Sequence, residues 1–131
     1  MPHTKHLLGH KTLLLIAVCY SCAITILFFI PSPDLPKLDF SAADKIVHST
    51  IYFILINLWM YYFYAKNGFP LNVKQIMILL FSILLYGIII EILQGLLTVS
   101  RTADIFDVAA NLLGTLLGIF FFRSIKKHLK I

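Results

Sequence analysis

The chain has 131 residues, of which 60% are hydrophobic and only 13% charged, and its mean hydropathy is +0.90. Soluble domains are about 25% charged, so the composition excludes a soluble globular domain and leaves room for one membrane-embedded domain. The net charge of +5 does not point to nucleic acid, because the basic residues sit in short tails and loops beside apolar runs.

Four runs predict membrane-spanning helices, at residues 12–30, 46–64, 76–97 and 105–122. At 1.5 Å per residue, roughly 18–22 residues cross about 30 Å of hydrocarbon. The first run follows Lys5 and Lys11 as a signal peptide would, but it is longer than an h-region. It ends at Pro31-Ser32-Pro33 without a small-residue cleavage site, which makes it a retained anchor. Cys19 and Cys22 form a C-x-x-C among aliphatic residues mid-span, where packing is expected rather than redox chemistry. The second run opens on Asp44 and His48, one turn apart, and closes on Trp59, Tyr61, Tyr62 and Tyr64, an aromatic belt at the membrane interface.

On the third run, Gly87, Glu91, Gln94 and Thr98 fall within an arc of roughly 60° at 100° per residue. On the fourth, Asp104, Asp107, Asn111, Gly114 and Gly118 fall within roughly 80°. Gly114 and Gly118 make a G-x-x-x-G step that admits a neighbouring helix at close range. The expected fold is all-α: a single domain over 1–131, an integral membrane four-helix bundle without internal repeats.

Charge sets the orientation. Lys5, Lys11, Lys66, Lys74, Arg123, Lys126, Lys127 and Lys130 share one side of the membrane, leaving Lys37, Lys45 and Arg101 on the other. The positive-inside rule then puts both termini in the cytoplasm. The acids Asp34, Asp39, Asp44, Glu91, Asp104 and Asp107 all lie towards the outer face. The basic C-terminal tail suits an anionic inner leaflet. His3, His6 and His10 read as a solvated tail rather than a metal site.

Ionisable groups inside a span cost about 2.5–3.5 kcal/mol each at a helix centre, and they turn towards protein or water rather than lipid. Three polar stripes at one depth therefore predict a shared pocket at the outer leaflet, lined by Asp44, Lys45, His48, Glu91, Gln94, Arg101, Asp104, Asp107 and Asn111. His48 oriented by Asp44 suits general base chemistry, although Asp44 also fits a helix-start cap. Glu91 and Asp107 are further catalytic candidates. Arg101 suits bidentate contact with a phosphate or carboxylate. His48, Glu91, Asp104 and Asp107 are the side chains that could ligate a divalent cation, but no strict ligand signature supports one, so no metal and no cofactor is expected. The rival reading is mutual satisfaction of these groups as structural glue, for which about 0.6 kcal/mol per membrane hydrogen bond is a weak motive.

Asp44-Lys45-Ile46-Val47-His48 followed by Tyr52-Phe53, then Glu91-Ile92-Leu93-Gln94, then Arg101, Asp104, Asp107, Asn111, Gly114 and Gly118 together resemble the motifs of the VanZ-like membrane proteins. The resemblance covers about residues 44–118, and the first span fits it only in kind. The chain departs from it at Val99-Ser100, where members often carry Pro-Gly before the arginine. The resemblance implies a small multi-pass protein of the bacterial cytoplasmic membrane acting near the cell envelope. The family is named for an association with resistance to teicoplanin, and no settled reaction comes with it.

The expected function is to bind or modify an envelope molecule, such as an anionic lipid-linked precursor or a lipoglycopeptide, within a setting of membrane lipid. One alternative is a non-enzymatic scaffold or accessory subunit. Another is a proton-coupled transporter, disfavoured by the lack of acids and histidines in the inner halves of the spans.

Overall fold

A computed structural model of the protein describes residues 9–30, 42–68, 70–97 and 105–125, with side chains in the second segment from residue 45 onward. These segments form four helices: α1 (His10–Phe29), α2 (Ala42–Asn67), α3 (Val73–Leu97) and α4 (Ile105–Ile125). Each is long and apolar enough to cross a membrane. All four overrun, at one end or both, the apolar runs read from sequence. α2 begins before Lys45 and continues past Lys66, because backbone hydrogen bonding does not stop where hydropathy falls. The chain is thus an all-α, multi-pass membrane protein.

Local chemistry fixes the turn between α2 and α3. Gly68 takes the left-handed conformation at φ 77° and donates its N–H to the Tyr64 carbonyl, closing α2. Asn72 and Gln75 then cap each other reciprocally, Gln75 N–H to Asn72 Oδ1 at 2.8 Å and Asn72 N–H to Gln75 Oε1 at 3.0 Å. This is an Asn/Gln version of the capping box that opens α3.

The bundle has the reverse polarity of a soluble domain. Leu15, Ile26, Phe81, Leu96, Ile105 and Phe120 face outward, while His48, Glu91, Gln94, Asn111 and Thr115 are buried. Hydrocarbon surrounding the helices makes the first set cheap to expose and the second cheap only when partnered. Cys19 and Cys22 lie on the outer face of α1, which corrects the expectation that they pack inside. At i, i+3 they share a face that points away from α2.

α2 and α4 form the most intimate pair. A Cβ on Gly114 would collide with the Ser49 backbone, and one on Gly118 would collide with the Ile56 side chain. The Ser49 hydroxyl donates to the Ala110 carbonyl at 2.9 Å, and the Asn57 amide donates to the Gly118 carbonyl at 3.3 Å. α1 joins α2 through Tyr20, whose hydroxyl donates to the Ile51 carbonyl at 2.8 Å, and through the Trp59 indole to Ser21 Oγ at 3.2 Å. α3 packs on α4 and reaches α1 through the Tyr86–Thr25 hydroxyl pair at 2.6 Å. Trp59, Tyr62 and Phe63 cluster towards the end of α2, with Lys66 over the Tyr62 ring.

Gly114→Ala should destabilise the folded protein by about 1–3 kcal/mol or more, as overpacking does. Gly9→Ala, which meets nothing, should not. Thermal unfolding in detergent reads the difference.

Candidate functional site

At the end of the bundle where α1 and α3 finish and α2 and α4 begin, the α2–α4 contact sets a row of polar side chains face to face. Lys45 stands in the first turns of α2 and Asp107 in the first turn of α4. Their Nζ and Oδ1 pair at 2.5 Å, both partly buried. The Asp107 carboxylate also suits the free N–H groups and partial positive charge of a helix start.

One turn further in, His48 is 5% exposed. Its Nε2 lies 3.7 Å from Asp107 Oδ2, an ion-pair distance beyond hydrogen-bond range. Its Nδ1 lies 3.2 Å from Asn111 Oδ1. Asp107 and Asn111, four residues apart on one face of α4, thus flank the two ring nitrogens. Phe28 of α1 stacks on the imidazole at 5.5 Å with the planes 18° apart, closing it off from the third side. The ring is held in place by three helices.

Glu91 and Gln94 are buried on α3. Gln94 donates from Nε2 to the Phe28 carbonyl at 2.8 Å. That carbonyl belongs to the last turn of α1 and has no intrahelical partner to come, so Gln94 ties α3 to α1. The side chain of Asp44, and Arg101 and Asp104 entirely, lie outside the described residues. Within the described set the carboxylate beside His48 is Asp107. No three potential metal ligands of the His, Cys, Asp or Glu type converge among the described residues.

Tyr52 belongs to this site, although the expected pocket lining did not include it. It lies four residues after His48, on the same face of α2, and is 1% exposed. Its ring is near Phe28 at 6.5 Å and Tyr86 at 6.2 Å. Among the described residues, its hydroxyl is the one buried side-chain polar atom without a hydrogen-bond partner. The available signals were its place in the motif after His48 and the i, i+4 spacing, which an aromatic residue in an apolar run conceals.

The arrangement can hold a proton at a fixed imidazole, with a carboxylate to steady the charged ring and an amide to steady its other nitrogen. Lys45 supplies a cation at the more exposed edge, already shared with Asp107.

A family model described as VanZ/LLP1 matches residues 16–126. The chain belongs to that family. No curated protein and no solved structure matches it.

Asn111→Leu should leave His48 Nδ1 facing an apolar side chain and cost about 1–3 kcal/mol of stability, the penalty of an unmatched buried polar group. Thermal unfolding of the purified protein checks this, and Asn111→Gln offers a partial rescue to compare.

Proposed function

We propose that this family member binds, at the polar end of its bundle, the headgroup region of an envelope molecule, and that His48 handles a proton there. The ligand class is a lipid-linked precursor or a lipoglycopeptide of the teicoplanin type, which would connect the chain to glycopeptide resistance. The observation that carries the reading is the buried His48, flanked by Asp107 and Asn111 and stacked on Phe28. A bundle that needed only adhesion has cheaper means in its glycine seam than a buried imidazole beside a carboxylate. In this reading Lys45 and Asp107 guard the entrance, Arg101 takes an anionic group of the ligand, and Glu91 is the second carboxylate for proton transfer. The polar end faces the outside and both termini the cytoplasm, as the basic residues of the tails and second loop indicate.

A scaffold reading has its own support: polar side chains of the site find partners within the chain, with Gln94 on the Phe28 carbonyl and Lys45 on Asp107. Mass spectrometry of lipids co-purified with wild type, Arg101→Ala and Asp107→Asn separates the two. A species lost from variants that keep wild-type thermal stability supports binding. Retention of the same species with lower stability supports the scaffold. In cells, expression should raise the inhibitory concentration of teicoplanin, and Asp107→Asn should return it to the level without the protein. A C-terminal green fluorescent fusion should fluoresce if that terminus is cytoplasmic.

A further inference from the structure

The half of the bundle away from the polar site contains a slot. A cavity of about 330 Å³ lies between α1, α2 and α3, where α3 packs chiefly on α4 and leaves space against the other two helices. Along α2 its wall runs from Leu55, at the middle of the helix, through Trp59 to Phe63. Along α3 it runs from Tyr86 back to Leu79. The step from Leu55 to Phe63 is about 12 Å, most of the roughly 15 Å of hydrocarbon in one leaflet. The volume spread over that length gives a cross-section of about 27 Å². A helix about 10–12 Å across needs roughly three times as much. The slot therefore admits a single chain and not a partner helix.

The polar groups on its wall are already used. Ser21 donates to the Ala17 carbonyl and accepts from Trp59, Ser82 donates to the Ile78 carbonyl, and Tyr86 pairs with Thr25. A polar occupant would find nothing to bond, whereas hydrocarbon loses nothing by entering. Charge lies where the slot leads. At 100° per residue, Leu55, Trp59, Phe63 and Lys66 share an arc of roughly 80° on α2. Lys66 thus continues the slot's own stripe into the last turn of α2, where it is exposed, with its Nζ 5.8 Å from the centre of the Tyr62 ring. A ring face leaves the ammonium its full charge. Lys11 and Lys74, both exposed, stand in the first turns of α1 and α3 at the same end. The described carboxylates, Glu91 and Asp107, belong to the opposite end.

An apolar slot one chain wide that leads to a lysine matches an anionic lipid, hydrocarbon within and phosphate at the ammonium. We propose that this slot takes one acyl chain of an anionic phospholipid from the leaflet at the lysine end, with the phosphate at Lys66 and with Lys11 and Lys74 adding positive charge around it. The chain fills the space that α3 leaves against α1 and α2. A zwitterionic lipid brings the same chain but carries a compensating positive charge, so it gains less from the lysines. The site is separate from the His48 end and does not depend on the ligand-binding reading given for that end.

Trp59 is the sole tryptophan of the chain and lines the slot, so its fluorescence reports the occupant directly. The protein is reconstituted into phosphatidylcholine vesicles in which a minor fraction of the lipid carries bromine at the middle of its acyl chains and quenches on contact. That fraction is either phosphatidylglycerol or phosphatidylcholine. Brominated phosphatidylglycerol should reach half-maximal quenching at about a fivefold lower mole fraction, the value of one lysine near a membrane surface. Lys66→Gln should remove most of that difference, and Arg123→Gln, on α4 and away from the slot, should keep it. Ser82→Phe should fill the slot and cut quenching by both lipids, with an unchanged melting temperature because the Ser82 hydroxyl bonds within its own helix. Equal quenching by the two lipids in wild type overturns the proposal. So does a preference that Lys66→Gln keeps or that Arg123→Gln loses equally, which would mark general attraction to a basic surface. Quenching that Ser82→Phe leaves at the wild-type level overturns the slot as the place of the chain.

Discussion

Everything distinctive about this bundle depends on how closely α4 approaches α2. Gly114 lies against the Ser49 backbone and Gly118 against Ile56, with no room for a side chain at either. Because lipid tails are as apolar as leucine, no hydrophobic force drives helices together in a membrane, and close packing with backbone-directed hydrogen bonds must do so instead. The Ser49–Ala110 and Asn57–Gly118 bonds run along this same seam. Asn111 and Asp107 lie one and two turns nearer the start of α4 than Gly114 and Thr115. Their short side chains reach His48 and Lys45 only because the backbones are already nearly touching. The seam is thus both the adhesive of the fold and the ruler that sets distances in the site.

A second consequence is that the polar side chains are divided by task. Gln94 and Tyr20 bond to backbone carbonyls of other helices, which locks helix to helix. Lys45, Asp107, His48 and Asn111 bond to one another's side chains, which locks a constellation rather than a backbone. Groups of the first kind need only an acceptor on the neighbouring helix. The second kind demands a particular set of partners at a particular depth, a costly arrangement for adhesion alone.

Much of this could be read before any coordinates. The four spans follow from hydropathy and length, and the G-x-x-x-G step pointed to the close contact at Gly114 and Gly118. The polar arc on α4 placed Asp107 and Asn111 on one face. What could not be read was which faces meet. The arcs on α2, α3 and α4 are equally good candidates for contact, and only the depth of the α2–α4 approach decides that His48 lies between Asp107 and Asn111 while Gln94 turns to Phe28. Helix ends were also hidden, since charged residues end a hydropathy window without ending a helix. Cys19 and Cys22 were misplaced for a related reason: in a span that is apolar all round, composition carries no information about which side faces protein.

Tyr52 shows where this inversion of polarity matters most. In a soluble core, an unpartnered buried hydroxyl is a local fault that water often repairs. Inside a membrane bundle water is scarce, and a tyrosine could be replaced by phenylalanine with no loss of packing. The hydroxyl of Tyr52 therefore gives the isolated bundle nothing, and it costs something as long as no acceptor is present. At Gly87, by contrast, a Cβ would come to 3.2 Å from the Tyr52 hydroxyl and 3.3 Å from Asn111 Nδ2, so the glycine serves the close meeting of α3 with α2 and α4. The unpartnered hydroxyl, one turn from the fixed imidazole of His48, is thus the local sacrifice of stability among the described residues, of the kind proteins keep where function rather than folding asks for it.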